Sequence, residues 1–113
     1  MSYNLFLDDS RDPNRFLHDL KTWVVVRSYR EFVETITEFG LPNFVSFDHD
    51  LAYEDCGKTN NFKERTGYDC AIWLMQYCMR TSQPLPEWQV HSMSPVGKAN
   101  ITTVLKMAEK AEL

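Results

Sequence analysis

The sequence predicts an α/β fold built on a parallel sheet of about four strands, with helices on both faces. Short apolar runs alternate along the chain with segments of helical periodicity, which is typical of repeated βαβ units. Two of these runs end directly in acidic residues, at positions 8–9 and 48–50. The chain of 113 residues is long enough for one hydrophobic core but short for two. We therefore expect a single domain over residues 1–113.

Four segments have the composition of buried strands. Residues 4–7 and 44–47 are short and mostly apolar, and each run is closed by aspartate. Residues 23–26 are aromatic and β-branched, and residues 88–91, which include Trp88 and Val90, form a fourth short run. Near-continuous apolar runs of this length indicate strands buried on both faces of a parallel sheet.

Two helices are predicted in the first half of the chain. Asp12 and Pro13 offer a cap and a first helical residue, and a short apolar stripe continues to residue 20. Ser28 and Glu31 form a capping-box pattern, after which apolar residues recur at helical spacing until Gly40. These patterns predict a brief helix over 12–20 and a longer one over 28–39.

Two more helices are predicted in the second half. Thr66 and Asp69 give another capping pattern, followed by helical periodicity to residue 79. The apolar face of this helix is wide, which indicates either deep burial or contact with a partner, so an oligomer could form there. Ser94 and Pro95 begin the last helix, whose stripe has four members: Ile101, Val104, Leu105 and Ala108.

These elements predict a receiver-like (flavodoxin-like) sheet with strand order 2-1-3-4. In doubly wound sheets, ligands bind outside the carboxyl ends of the strands, where the strand order reverses. With this order, that point lies between the first and third strands. The acidic residues that follow these two strands are therefore expected to meet there.

Crowded carboxylates at this edge predict a metal site. Asp8 and Asp9 follow the first strand, and Asp48 and Asp50 follow the third. Carboxylates held close together repel one another, and hard oxygen ligands favour cations such as Mg²⁺ or Mn²⁺. The alternative is that Asp8 and Asp9 only stabilise the loop that follows the strand.

Two histidines are candidates for acid–base catalysis beside these acids. His49 lies between Asp48 and Asp50, and His91 ends the fourth predicted strand. Histidine changes protonation near physiological pH and commonly acts as a general acid or base. The alternatives are a solvated loop histidine at position 49 and a buried strand-end histidine at position 91.

The start of the last helix is a candidate phosphate site. Its unpaired backbone donors, together with Ser94, Gly97 and Lys98, could bind an anion. The alternative is that the Ser-Pro pair simply begins a helix. Residues 52–65 form a long polar connection with several basic residues, for which a mobile lid and a segment without function are equal alternatives.

Charge and composition limit the classes of partner. The net charge of −4 would repel long duplex nucleic acid, so a small phosphorylated or nucleotide substrate suits the chain better. No apolar stretch has the length of a membrane span, and no export signal is visible at the amino terminus. Three cysteines without CxxC spacing are typical of reduced, structural thiols. We expect a cytoplasmic protein that does not bind membranes.

Four motifs together resemble the cyclic-phosphate-processing receiver domain, a divergent relative of phospho-acceptor receivers that is common in bacteria and phages. The motifs are residues 7–13, 46–51 and 66–69, and the run from His91 and Ser92 through Pro95, Gly97, Asn100 and Ile101. The resemblance spans nearly the whole chain. It implies a bacterial cell or a phage-infected host as the setting.

The resemblance also implies roles for single residues. Asp8 and Asp9 match the acid pair that holds Mg²⁺ in receivers, and Asp48 matches the phospho-acceptor. His49 and His91 match the histidines of the cyclic-phosphate branch. Three further residues join the candidates for phosphate binding on the same grounds: Arg11, Ser92 and Asn100. Ser94 departs from the asparagine expected before proline, and the fifth strand with its lysine has no counterpart, which argues against aspartyl phosphorylation.

The leading hypothesis is a metal-dependent hydrolase that opens a cyclic phosphodiester, either a terminal 2′,3′-cyclic phosphate or a cyclic nucleotide. Asp8, Asp9 and Asp48 would hold the cation, while His49 and His91 would transfer protons. One alternative is a signalling module that accepts phosphate on Asp48. The other is a protein that binds and sequesters a nucleotide without turnover.

Overall fold

The fold is an alternation of parallel strands and helices, seen in a computed structural model that describes residues 3–9, 23–48, 66–92 and 94–111. The strands are β1 (Asn4–Leu7), β2 (Trp23–Val26), β3 (Phe44–Phe47) and β4 (Glu87–Val90). The helices are α1 (Tyr29–Phe39), α2 (Gly67–Thr81) and α3 (Pro95–Ala111). The sheet is parallel throughout, with order β2-β1-β3-β4. The predicted receiver-like fold class and strand order are confirmed.

Capping fixes the start of α1 and α2. At α2 both halves of the capping box form, since Thr66 N donates to Asp69 Oδ2 at 2.7 Å and Asp69 N donates to Thr66 Oγ1 at 3.4 Å. At α1, Ser28 Oγ accepts from Glu31 N at 3.1 Å, but the Glu31 carboxylate accepts from Arg27 N at 2.6 Å. The box predicted for Ser28 and Glu31 is therefore only half formed. None of these three helices is long and apolar enough to cross a membrane.

One hydrophobic layer lies between the sheet and all three helices. The steps from β2 to β3 and from β3 to β4 run in the same direction across the sheet, so right-handed crossovers place α1 and α2 on one face. Alternate residues of the strands point to that face. The fully buried members of the layer include Leu5, Leu7, Val45 and Phe47 from the sheet and Phe32, Ile36, Leu74, Ile101 and Leu105 from the helices.

The wide apolar face of α2 is largely used within the chain. Leu74 is fully buried, and Trp73 packs edge-on against Phe32 and stacks on Tyr77. Met79 is 67% exposed. An oligomer contact through this helix stays a prediction. The helix predicted over 12–20, the connection over 52–65 and one of the three cysteines lie outside the described residues. The other two cysteines, Cys70 and Cys78, are buried.

Tyr3 links the start of β1 to the end of α1. Its hydroxyl donates to the carbonyl of Gly40, where φ of +87° ends the helix. Burial, with a smaller contribution from Tyr77, raises the pKa of Tyr3 from 10.0 to about 12. The neutral phenol is therefore the form that the native state requires.

We expect Tyr3→Phe to change how stability depends on pH. At neutral pH the variant should be less stable by about 1 kcal/mol, because it lacks the hydrogen bond. As pH rises from 10 towards 12, the unfolded wild type loses the proton of Tyr3 before the native wild type does, so the free energy of unfolding of the wild type falls. The difference in the free energy of unfolding between the wild type and Tyr3→Phe should therefore narrow or reverse. Denaturant unfolding at pH 7.5 and pH 11 measures this gap, and an equal gap at both would contradict the expectation.

Candidate functional site

Three residues with ionisable side chains lie directly after three neighbouring strands. Asp8 follows β1, Asp48 follows β3 and His91 follows β4. The backbone N–H of each extends the ladder of the sheet by one more hydrogen bond, so their positions are set by the sheet and not by a loop. The acceptors are the carbonyl of Val26 for Asp8 at 3.1 Å, that of Leu7 for Asp48 at 3.0 Å and that of Phe47 for His91 at 2.8 Å.

These residues lie on the face of the sheet opposite the three helices. Each stands two residues after a strand residue of that same face, because side chains alternate between faces along a strand. The three preceding residues are Phe6, Ser46 and Gln89. Phe6 and Ser46 are fully buried. A polar side chain buried in the middle of a strand needs a partner, and the partners of Ser46 are Gln89 and His91.

The His91 ring is held on both nitrogens. Nε2 lies 2.9 Å from Asp8 Oδ2, and Nδ1 lies 2.7 Å from Ser46 Oγ. Gln89 Nε2 donates to the same Ser46 oxygen at 3.0 Å. The ring also stacks on Phe6 with centroids 4.6 Å apart and planes 4° from parallel. These contacts fix both the place and the rotation of the imidazole.

The site combines deep burial with negative charge. The Asp8 side chain is fully buried, that of His91 is 7% exposed, and Asp48 is 4% exposed. A buried carboxylate is costly unless it is paired or hydrogen-bonded. The imidazole supplies Asp8 with such a partner, and Arg27 Nη1 donates to the Asp8 carbonyl at 3.2 Å.

The geometry of this group fits a divalent cation. One ligand atom from each of Asp8, Asp48 and His91 can be chosen so that all lie within 4.8 Å of one another. Two ligand atoms that each lie about 2.0–2.2 Å from one cation are at most roughly 4.4 Å apart. The three side chains would therefore need to move together by only a few tenths of an ångström to bind the same ion. Two carboxylates suit Mg²⁺ or Mn²⁺. Both ring nitrogens of His91 already have hydrogen-bond partners, so the carboxylates are the groups that could hold the cation.

Of the remaining predicted metal ligands and the second histidine, the structure describes Asp9 alone. Asp9 is half-buried and does not belong to the converging set among the described residues. Asp50, His49 and Arg11 lie outside the described residues. The structure therefore brings together Asp8 and Asp48 as predicted and adds His91, which was expected beside the metal site but not as the partner of Asp8.

The start of α3 is stabilised by its own serines. Ser94 Oγ accepts from Gly97 N at 3.1 Å, and Ser92 Oγ accepts from Ser94 N at 3.1 Å. The backbone N–H of Lys98 donates to the Ser94 carbonyl at 2.9 Å. Lys98 and Asn100 are exposed and Gly97 is buried. These contacts are those of an ordinary helix start, and phosphate binding by the five residues stays a prediction.

Sequence reasoning missed three residues around this group. Ser46 and Gln89 hold the His91 ring, and Arg27 holds the Asp8 backbone. One signal was available, since Ser46 is a polar residue among Phe44, Val45 and Phe47 in a strand expected to be buried on both faces. Gln89 and Arg27 carry no comparable signal.

A parallel sheet of order 2-1-3-4, with acids at the ends of its first and third strands, defines the class of receiver-type domains. Within this class, the family model of the cyclic-phosphate processing receiver domain matches residues 3–107, and the chain belongs to that family. The resemblance seen in the sequence motifs is thereby confirmed. No curated protein and no solved structure matches the chain.

Proposed function

We propose that this protein is a metal-dependent hydrolase that opens a cyclic phosphodiester, either a 2′,3′-cyclic phosphate end or a cyclic nucleotide. The observation that carries the proposal is the convergence of Asp8, Asp48 and His91 at the carboxyl edge of the sheet. Membership of a family named for the processing of cyclic phosphates supports it. Ligands of doubly wound sheets bind at this edge.

The reaction sets three demands on the site. The oxygen of a water molecule forms a bond to phosphorus, the bond from phosphorus to one ring oxygen breaks, and the product is a phosphomonoester. The water gives up a proton, and the departing oxygen takes one up. Negative charge accumulates on the phosphoryl oxygens as this happens, so the site has to supply positive charge and a proton donor.

The residues of the group can meet these demands. Asp8 and Asp48 would hold the cation, with Asp9 and Asp50 as further proposed ligands, and a bound Mg²⁺ or Mn²⁺ would supply positive charge at the phosphoryl oxygens. His91 carries a proton-holding atom, Nε2, at the same edge, 2.9 Å from Asp8 Oδ2. We assign His91, together with His49, to proton transfer. Arg11, Ser92, Ser94, Gly97, Lys98 and Asn100 remain proposed phosphate contacts.

Incubation with a panel of cyclic nucleotides and of oligonucleotides ending in 2′,3′-cyclic phosphate tests the proposal. We expect at least one of these classes to be opened to a phosphomonoester in the presence of Mg²⁺ or Mn²⁺ and not after chelation. Chromatography of the products measures it. Tight binding without turnover would instead indicate a sequestering protein.

Stable labelling of Asp48 by a small phosphodonor, with no ring opened at any metal concentration, would support the signalling alternative. The described part of the sheet has four strands, and α3 follows β4.

A further inference from the structure

A chain of hydrogen bonds crosses the sheet from β4 to β1 on the face of the candidate site. It runs from the Gln89 amide to Ser46 Oγ at 3.0 Å, from Ser46 Oγ to His91 Nδ1 at 2.7 Å and from His91 Nε2 to Asp8 Oδ2 at 2.9 Å. Its members come from three different strands, so the chain is a tertiary feature of the sheet.

The direction of this chain follows from what each group can donate. An ionised carboxylate only accepts, so the bond to Asp8 requires a proton on Nε2. In the neutral ring, Nδ1 is then an acceptor and takes the hydroxyl proton of Ser46. The Ser46 oxygen in turn accepts from the Gln89 amide, which leaves its own proton free to turn towards the ring. Every donor therefore points towards Asp8.

Packing alone gives no reason for these polar residues. Ser46 is fully buried between Val45 and Phe47 in its strand. A buried polar pair can often be replaced by apolar groups of the same shape without loss of stability. The hydroxyl at position 46 matters because it lies 2.7 Å from Nδ1, on the side of the ring away from Asp8, and so can orient the ring. Second partners of this kind set the orientation and tautomer of functional histidines.

We infer that Ser46 and Gln89 are positioning residues that hold the His91 ring with its Nε2–H directed at Asp8 and the carboxyl edge of the sheet. The inference rests on the proposed function for its catalytic consequence. The orientation of the His91 ring and the position of its proton can be tested without any substrate, because both can be observed in the free protein.

Nuclear magnetic resonance of the histidine side chains tests the positioning directly. The chain has three histidines, and the His91→Gln spectrum identifies the signal of His91. We expect a slowly exchanging Nε2–H in the wild type and roughly tenfold faster exchange with water in Ser46→Ala, because the loss of a buried hydrogen bond increases local opening by about that factor. Gln89→Ala should accelerate the exchange less.

Val45→Ala is the matched control. Val45 precedes Ser46 in the same strand and is also fully buried, but its side chain packs in the hydrophobic layer on the other face. It should cost more stability than Ser46→Ala and leave the exchange of the His91 proton unchanged. Equal acceleration in Val45→Ala would show that general destabilisation, and not the Ser46 hydroxyl, controls the ring.

A double-mutant cycle tests whether Gln89 acts through Ser46. Gln89→Ala should have no further effect on the exchange in the Ser46→Ala background, since the contact it removes is already lost. The same effect in both backgrounds, or a His91 signal that neither substitution alters, would overturn the inference. Where a substrate has been found, turnover should fall in Ser46→Ala with KM unchanged. Absence of any turnover, with the exchange altered as expected, would contradict the proposed function only.

Discussion

His91→Ala should slow the opening of a cyclic phosphate by roughly 10²–10⁴-fold, the usual contribution of a positioned general acid or base. The ring lies at the carboxyl edge with Nε2 on Asp8, and nothing in alanine can hold or transfer a proton there. The carboxylates that would bind the cation remain, so the response to metal should persist. Single-turnover kinetics at saturating substrate measure the loss in the chemical step.

His91→Gln separates proton transfer from hydrogen bonding. Glutamine keeps an N–H donor on a side chain of similar reach, but it cannot exchange a proton at neutral pH. We expect it to be nearly as slow as alanine. A His91→Ala protein within about threefold of the wild-type rate would exclude His91 from the reaction, and the stacking on Phe6 would then be its main contribution.

Asp8→Asn and Asp48→Asn should each abolish the stabilisation of the protein by Mg²⁺ or Mn²⁺. A cation that binds only the native state, present at about 100 times its Kd, stabilises it by about 2.7 kcal/mol, which corresponds to a rise in Tm of roughly 10 °C. The amide removes the negative charge that binds the cation. In Asp8→Asn the side-chain oxygen can still accept the bond from His91. Thermal unfolding with and without metal measures the effect.

Asp9→Asn is the comparison with the same change of charge one residue away. Asp9 is proposed only as a further ligand and lies outside the converging group, so Asp9→Asn should weaken the metal response less than Asp8→Asn or Asp48→Asn does. Complete loss of the response in Asp9→Asn would make Asp9 as important a ligand as Asp8, as the sequence motif suggests. A full response in both Asp8→Asn and Asp48→Asn would contradict the proposed metal site.

The elements of the fold were predictable because each has a strong local signal. The strand of residues 4–7 is apolar and closed by aspartate, and the helix of residues 29–39 has regular apolar spacing between a serine cap and Gly40. The capping box at Ser28 formed only in part, because Glu31 accepts from the preceding residue, Arg27. The sequence pattern does not decide between the backbone N–H groups of Arg27 and Ser28, since both are within reach of the Glu31 side chain.

The site was less predictable because it depends on register. Asp8, Asp48 and His91 share a face because Asn4, Phe44 and Glu87 are partners at the starts of three strands. A slip of one residue in any strand would turn its side chains to the other face, and the sequence does not state the register. The contacts of His91 with Ser46 and Asp8 span 45 and 83 residues of chain, beyond the reach of any local pattern.

The order of the strands also sets a limit on side-chain size. β3 lies between β1 and β4, so the side chains of His91 and Asp8 meet across two strand spacings, about 9.6 Å in a flat sheet. An aspartate at position 91 would be too short to bridge that distance. Nδ1 of the imidazole also lies 2.7 Å from Ser46 Oγ, so a branched or aromatic side chain at position 46 would collide with the ring. The site thus needs a long side chain at position 91 together with a small one at position 46. A change at either position calls for a matching change at the other.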